Sequence, residues 1–238
     1  PNKPPKTGAE VYKTVLSNPT TPGTSVTGTG FPPDLNLALI RGGQSGAQLM
    51  FDRMRGGSKY LSTAATSAEG SVTGNSFLQD GFYYASASGE SIANTFFRRA
   101  PGFFDVICDT GTGSAHAINH NLTVAPELII RKSRSAATQW EWWHSALAAT
   151  EKLVLNSTAG KATDATAFGT LPTATQFYVG ASANTNASAA TYVTYLFATC
   201  HGVSKVGYYT GNGTSLTVEC GFSTGARFIL AKSIDDAG

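Results

Sequence analysis

The sequence predicts an all-β protein of tandem antiparallel β-sandwich units, jelly-roll-like in outline, of about 90–100 residues each. Three observations predict it: the chain repeats itself, apolar and polar residues alternate between Gly-rich clusters, and charge is scarce. Of 238 residues, 13% are charged against 41% hydrophobic, and 26 are Gly. Many small polar residues with few charges suit short strands joined by turns and do not suit solvated helices.

The repeat is the strongest of the three. Phe97 to Ser133 can be laid on Phe197 to Ser233 without a gap, with matches at Phe97/Phe197, Gly102/Gly202, Val106/Val206, Thr110/Thr210, Gly111/Gly211, Gly113/Gly213, Ile129/Ile229, Lys132/Lys232 and Ser133/Ser233. Unrelated stretches of that length would share roughly two or three. An earlier copy is marked by Pro33-Asp34-Leu35 against Pro126-Glu127-Leu128, Lys59 against Lys152, and Phe82-Tyr83 against Phe177-Tyr178. The resulting division is an extended basic arm at 1–10, a first unit at 11–100, a second at 101–200 and the opening of a third at 201–238. The third is far shorter than the others, so the natural polypeptide is expected to continue.

The elements follow in order. Pro1, Asn2, Lys3, Pro4, Pro5 and Lys6 read as an extended arm, because Pro forbids helix and the lysines repel. Alternation predicts strands over Val11 to Leu16, Phe103 to Cys108, Ala115 to Leu122, Thr191 to Ala198 and Ser204 to Tyr209. Asp109 to Gly113 and Thr210 to Gly213 supply the positive φ of hairpin turns. Leu35 to Ile40 and Glu127 to Arg131 are apolar runs that follow a proline and read as core strands. Ser145 to Glu151 has helix propensity, but the counterpart Arg53 to Ser58 carries two glycines, so a loop or single turn is expected. Only five residues separate Phe97 from Phe103, as between Phe197 and Val203, and links so short predict units packed stiffly together.

Composition excludes several functions. A net charge of +2 announces no nucleic-acid partner, and no apolar run approaches the ~20 residues of a membrane helix, so no membrane insertion is expected. Cys108, Cys200 and Cys220 form neither a disulfide framework nor a metal cage and read as small buried hydrophobes. His116 and His120 lie on a predicted strand, about 13 Å apart on one face, too far to share an ion. His144 and His201 stand alone. No two carboxylates among Asp105, Asp109, Asp164, Asp235 and Asp236 are spaced as a general acid and base. The Gly-rich loops lack the Lys-Ser/Thr and the following helix of a phosphate cradle. No catalytic residue, metal or cofactor is expected.

Binding has one physical argument, the run Gln139-Trp140-Glu141-Trp142-Trp143-His144. Aligned on the first unit, Trp142 meets Met50 and Trp143 meets Phe51, which marks both as core. Trp140 meets Gln48, a position that tolerates a polar side chain and is therefore expected near solvent. An exposed indole can cover the apolar face of a pyranose, which makes Trp140 the candidate glycan-contact residue.

Gly30-Phe31-Pro32-Pro33-Asp34-Leu35, Met54-Arg55-Gly56-Gly57-Ser58-Lys59-Tyr60-Leu61 and Phe96-Phe97-Arg98-Arg99-Ala100-Pro101-Gly102-Phe103-Phe104-Asp105-Val106 resemble tail-fibre-type proteins of bacteriophage virions, which carry tandem β-rich units. The resemblance runs from Val11 almost to the end and brings no catalytic motif; the aromatic run of the second unit departs from it. It implies a non-enzymatic virion protein of the tail, a fibre or tail-associated component serving host attachment. It further implies homotrimers and other virion proteins as partners, and the Trp140 argument adds a host cell-surface glycan as a candidate partner. Multivalency would supply the adhesion. Two alternatives are a capsid decoration or cement protein or head fibre, using Pro1 to Lys6 as the virion-contact arm, and a polysaccharide depolymerase with carboxylates drawn from distant loops.

Overall fold

The computed structural model describes residues 3–41, 48–86 and 89–235. The first half of the chain forms β1 (Tyr12–Ser17), β2 (Thr24–Thr27), β3 (Leu35–Arg41), β4 (Gln48–Asp52), β5 (Lys59–Ser62), β6 (Gly70–Ser71), β7 (Ser76–Leu78), β8 (Gly81–Tyr84) and β9 (Ser91–Phe97). The second forms β10 (Phe104–Thr110), β11 (His116–Asn119), β12 (Leu128–Ser133), β13 (Glu141–His144), β14 (Glu151–Val154), β15 (Ala162–Thr163), β16 (Gln176–Val179), a one-turn helix α1 (Ala183–Asn186) and β17 (Thr191–Phe197). The protein is all-β, and its ladders are antiparallel.

The two halves are built alike. One six-stranded sheet has the order β1-β9-β3-β4-β5-β6 and the other β10-β17-β12-β13-β14-β15. Register agrees as well as order. Phe97 pairs with Tyr12 and Leu35, and Phe197 pairs with Phe104 and Leu128. Leu35 faces Asp52 where Leu128 faces His144. Each large sheet has a small companion, β2-β8-β7 in the first half and β11-β16 in the second. The ladders also correct one alignment: Leu49 pairs with Ser62 and Glu141 with Val154, so Lys59 stands where Glu151 does, not Lys152.

Alternation along the strands decides what each face touches. In the first large sheet Ala38, Phe51, Ile92 and Phe96 share a face and pack with Val26, Phe82 and Tyr84 of the small sheet. Leu35, Met50, Leu61 and Phe97 point the other way and join a core with Ile130, Trp140, Trp142 and Tyr195 of the second half. The two large sheets therefore meet across a common apolar layer, and the short link fits that packing.

Two sequence expectations need correction. The cluster Asp109 to Gly113 turns the chain, with Gly113 at φ 77°, but it joins no hairpin, because β10 pairs with β17 and β11 with β16. Its Gly111 is required by packing: a Cβ there would stand 2.2 Å from the Ala187 carbonyl oxygen. The run Ser204 to Tyr209 forms no ladder; among the described residues beyond β17 the pairing is an isolated bridge between Cys200 and Ser204. As expected, Ser145 to Thr150 is turn and not helix.

Candidate functional site

The chemistry of the chain concentrates at the joint between the two large sheets, and Trp140 lies inside it. Its side chain is 0% exposed, its indole Nε1 donates to the Ser62 carbonyl at 2.8 Å, and its ring stacks on Tyr195. Trp140 is thus a joint residue and not a glycan platform. The exposure of Gln48 does not carry over because the two positions face different neighbours: Gln48 opens β4 and is exposed, whereas Trp140 is capped by the first half through Ser62. Trp142 and Trp143 are core, as expected.

Beside Trp140 lies a buried ionic network. The Arg55 guanidinium is enclosed and donates to Asp52 through Nε, to the Met50 carbonyl at 2.8 Å and to the Tyr195 hydroxyl at 3.1 Å, while its Nη1 reaches Glu69 at 3.2 Å. The Tyr195 hydroxyl donates to Asp52 at 2.8 Å, and Arg134 grips Glu69 with bonds of 2.9 and 3.2 Å. Asp52, Arg55 and Glu69 belong to the first half, Arg134 and Tyr195 to the second. Burial pushes the Glu69 carboxyl up, but the hydrogen bond from Arg134 and the charges of Arg55 and Arg134 outweigh it and hold the group below the ordinary range. Burial raises the Tyr195 phenol well above its usual value, so it stays protonated and donates. The network is saturated: each charge meets its opposite, and it presents no free acid or base.

The link between the halves explains the repeated motifs. After β9 the chain turns at Ala100 to Phe104, and after β17 it makes the same turn at Cys200 to Ser204. Gly102 and Gly202 take φ of 71° and 72°, a left-handed conformation that glycine adopts without strain. The acid of Pro-Asp/Glu-Leu, at the entry to the neighbouring strand β3 or β12, holds each turn: Asp34 accepts from the Arg99 amide at 2.8 Å, and Glu127 accepts from the Thr199 amide. Around the first turn Phe97 contacts Phe103, Phe104 and Phe197. The stretches that carry the sequence resemblance supply Arg55, Asp34, Phe97 and this turn, so they are joint residues. Asp34→Ala is expected to cost about 1.5–3 kcal/mol, the size of a hydrogen bond to a charged acceptor, read from the urea midpoint at unchanged slope.

Other candidates resolve individually. Pro1 and Asn2 lie outside the described residues. Lys3, Pro4 and Lys6 are exposed, but Pro5 is buried and its carbonyl faces the Cys200 thiol, so the arm lies partly against its own chain. His116 is bound to Thr112 and Ser114, while His120 is buried with Nδ1 accepting the Leu122 amide. Burial lowers the His120 imidazole and keeps it neutral. The three cysteines are free, but of the three only Cys200 is buried as expected; Cys108 and Cys220 are half-buried, and partial burial pushes the Cys108 thiol up to about 11. Lys132 is buried with its amine on the carbonyls of Ser133 and Ala136, and burial pushes it down to about 8.

Sequence spacing missed one carboxylate pair. Lys152 stands 3.0 Å from Glu141 and 3.1 Å from Asp164, and Asn184 donates to Glu141 at 2.8 Å. The single Lys152 ammonium is shared by the two carboxylates and ties β13, β14 and the loop after β15 into an ion-paired strap. Nothing in the spacing of positions 141, 152 and 164 could have revealed it, because the pairing of β13 with β14 and of β14 with β15 creates it. Among the described residues no three of His, Cys, Asp and Glu gather as metal ligands, and no helix is long and apolar enough to cross a membrane.

Comparison with curated proteins and with solved structures gives no match. One family model matches, over residues 91–238, and its span takes in β9, the joint turn, the whole second half and the C-terminal stretch. The chain therefore belongs to the family described as Domain of unknown function (DUF7483).

Proposed function

We propose that this chain is a non-enzymatic structural component of a phage virion, a tail-fibre or tail-associated protein that holds host-contacting surfaces in fixed array. The observation that carries this reading is the shared core between the two large sheets, reinforced by the Arg55–Glu69–Arg134 bridge. Multivalent adhesion gains effective concentration only if modules keep their spacing, and a joint sealed by aromatic rings and buried charge keeps it. The resemblance of the joint motifs to tail-fibre-type proteins gives the reading its biological setting. In it, other virion proteins and further copies of the chain, as a homotrimer, are the partners.

With Trp140 enclosed, contact with a host glycan passes to the loops at the strand ends, such as 170–175, where Leu171 is exposed. The capsid-decoration alternative relied on a free arm, and the packing of Pro5 shortens the part of the arm that could order along a neighbour. The test is immunogold electron microscopy of intact particles with antibody raised against residues 1–238. Label along the tail or its fibres supports the proposal; label over the capsid faces, or none on particles, overturns it.

A further inference from the structure

The second half places three charged side chains where the first half has apolar or aromatic ones. In register, Glu141, Lys152 and Asp164 take the places of Leu49, Tyr60 and Val72. Even the backbone bond beside the third position repeats: the Val72 amide donates to Ser58 and the Asp164 amide to Thr150. Leu49 and Tyr60 pack against the core of the first half, so the fold itself asks for no charge here. Burying ions in place of apolar side chains is commonly neutral or costly, because desolvation offsets the attraction. Stability alone does not account for the triad.

The Glu141 side chain is fully enclosed, and those of Lys152 and Asp164 are 13% and 24% exposed. The Lys152 amine stands 3.1 and 3.0 Å from Glu141 Oε1 and Oε2, and 3.1 Å from Asp164 Oδ2. Asn184 fixes Glu141 through its 2.8 Å bond to Oε1, while Oε2 has no directed hydrogen bond of its own. Thr166 holds Asp164 Oδ1 through its amide and its hydroxyl, which leaves Oδ2 to the amine. The other lysine–acid pair among the described residues, Lys161 with Glu151, is open to water at 42% and 21%.

We propose that Lys152 and Asp164 join through a side-chain amide, an isopeptide bond that the chain forms by itself with Glu141 as proton carrier. Burial pulls the Lys152 amine down, but Glu141 and Asp164 outweigh it and keep the amine charged. Burial likewise pushes the Asp164 carboxyl up, and the bonds from Thr166 and Lys152 hold it low. The step therefore opens with return of one ammonium proton to Asp164 Oδ2. The free amine attacks Asp164 Cγ, Glu141 takes a proton from the attacking nitrogen and delivers it to the departing hydroxyl, and water leaves. Three N–H protons become one amide N–H and the two of water, and Glu141 ends as the carboxylate it was. Groups held in contact react at high effective molarity, which replaces an external activating agent. The bond pins β15, two residues long, to β14. This chemistry does not rest on the proposed virion role.

Mass spectrometry of the denatured whole chain tests it. The parent is expected to weigh less than its sequence by one water. Trypsin, which does not cut after an acylated lysine, should release residues 135–161 joined to 162–205, and fragmentation should place the link at Lys152 and Asp164. Lys152→Arg and Asp164→Ala should each restore the full mass, and Glu141→Gln should slow the loss of water at least about a hundredfold, the usual size of a positioned proton carrier. Circular dichroism checks that the variants fold; should one not, the branched peptide of the parent still decides. A parent of full mass, loss of ammonia in place of water, a link at other residues, or water loss that persists in Lys152→Arg or keeps its rate in folded Glu141→Gln overturns the proposal.

Discussion

Trp140→Ala is expected to lower the free energy of unfolding by about 3–5 kcal/mol, the cost of removing a buried Trp from a core that cannot fully collapse. The change empties space between the two large sheets, removes the stack on Tyr195 and strands the Ser62 carbonyl. Trp140→Phe keeps most of the apolar volume but not the donor, so it should fall between the two. Chemical denaturation monitored by circular dichroism checks both. A loss under 1 kcal/mol for the alanine variant would show that the indole is not enclosed. Host adsorption at a temperature where the variant is folded should stay unchanged, since Trp140 reaches no surface.

Arg55→Met should be of similar size, about 3–5 kcal/mol, because truncating one partner leaves buried charge without its opposite. Asp52 loses the guanidinium, Glu69 keeps only Arg134, and the Tyr195 hydroxyl loses a neighbour. Acid should act on the same network. The folded-state pKa of Glu69 lies below its unfolded value, so the unfolded chain takes up the proton first. The contribution of Glu69 is therefore fully present above the unfolded carboxylate range and is lost as pH falls through the folded value. Melting temperature followed from pH 7 downward should drop in that window, and Glu69→Gln should flatten the drop. A variant with the same acid slope as the parent would remove Glu69 from the joint.

Much of the architecture was legible in the sequence because it depends on local chemistry and repetition. The alternation at Thr191 to Ala198 became β17, the prolines before Leu35 and Leu128 introduced β3 and β12, and the Phe97/Phe197 match marked equivalent strand ends. What could not be read was contact between elements far apart in the chain. Arg55 looked like part of a Gly-rich loop, yet it meets a tyrosine 140 positions away. Trp140 was judged by the residue aligned with it, but burial depends on the opposing sheet, and alignment within a repeat carries no information about that. The loop at 109–113 turned as its glycines require, while the strands on its two sides went to different sheets, a choice set by long-range pairing.

The way the large sheets meet limits how such an array can grow. Each has one side on its own small companion and much of the other on its neighbour, so the pair uses up both faces. Additional copies cannot be stacked on top like coins; they must attach at margins and corners.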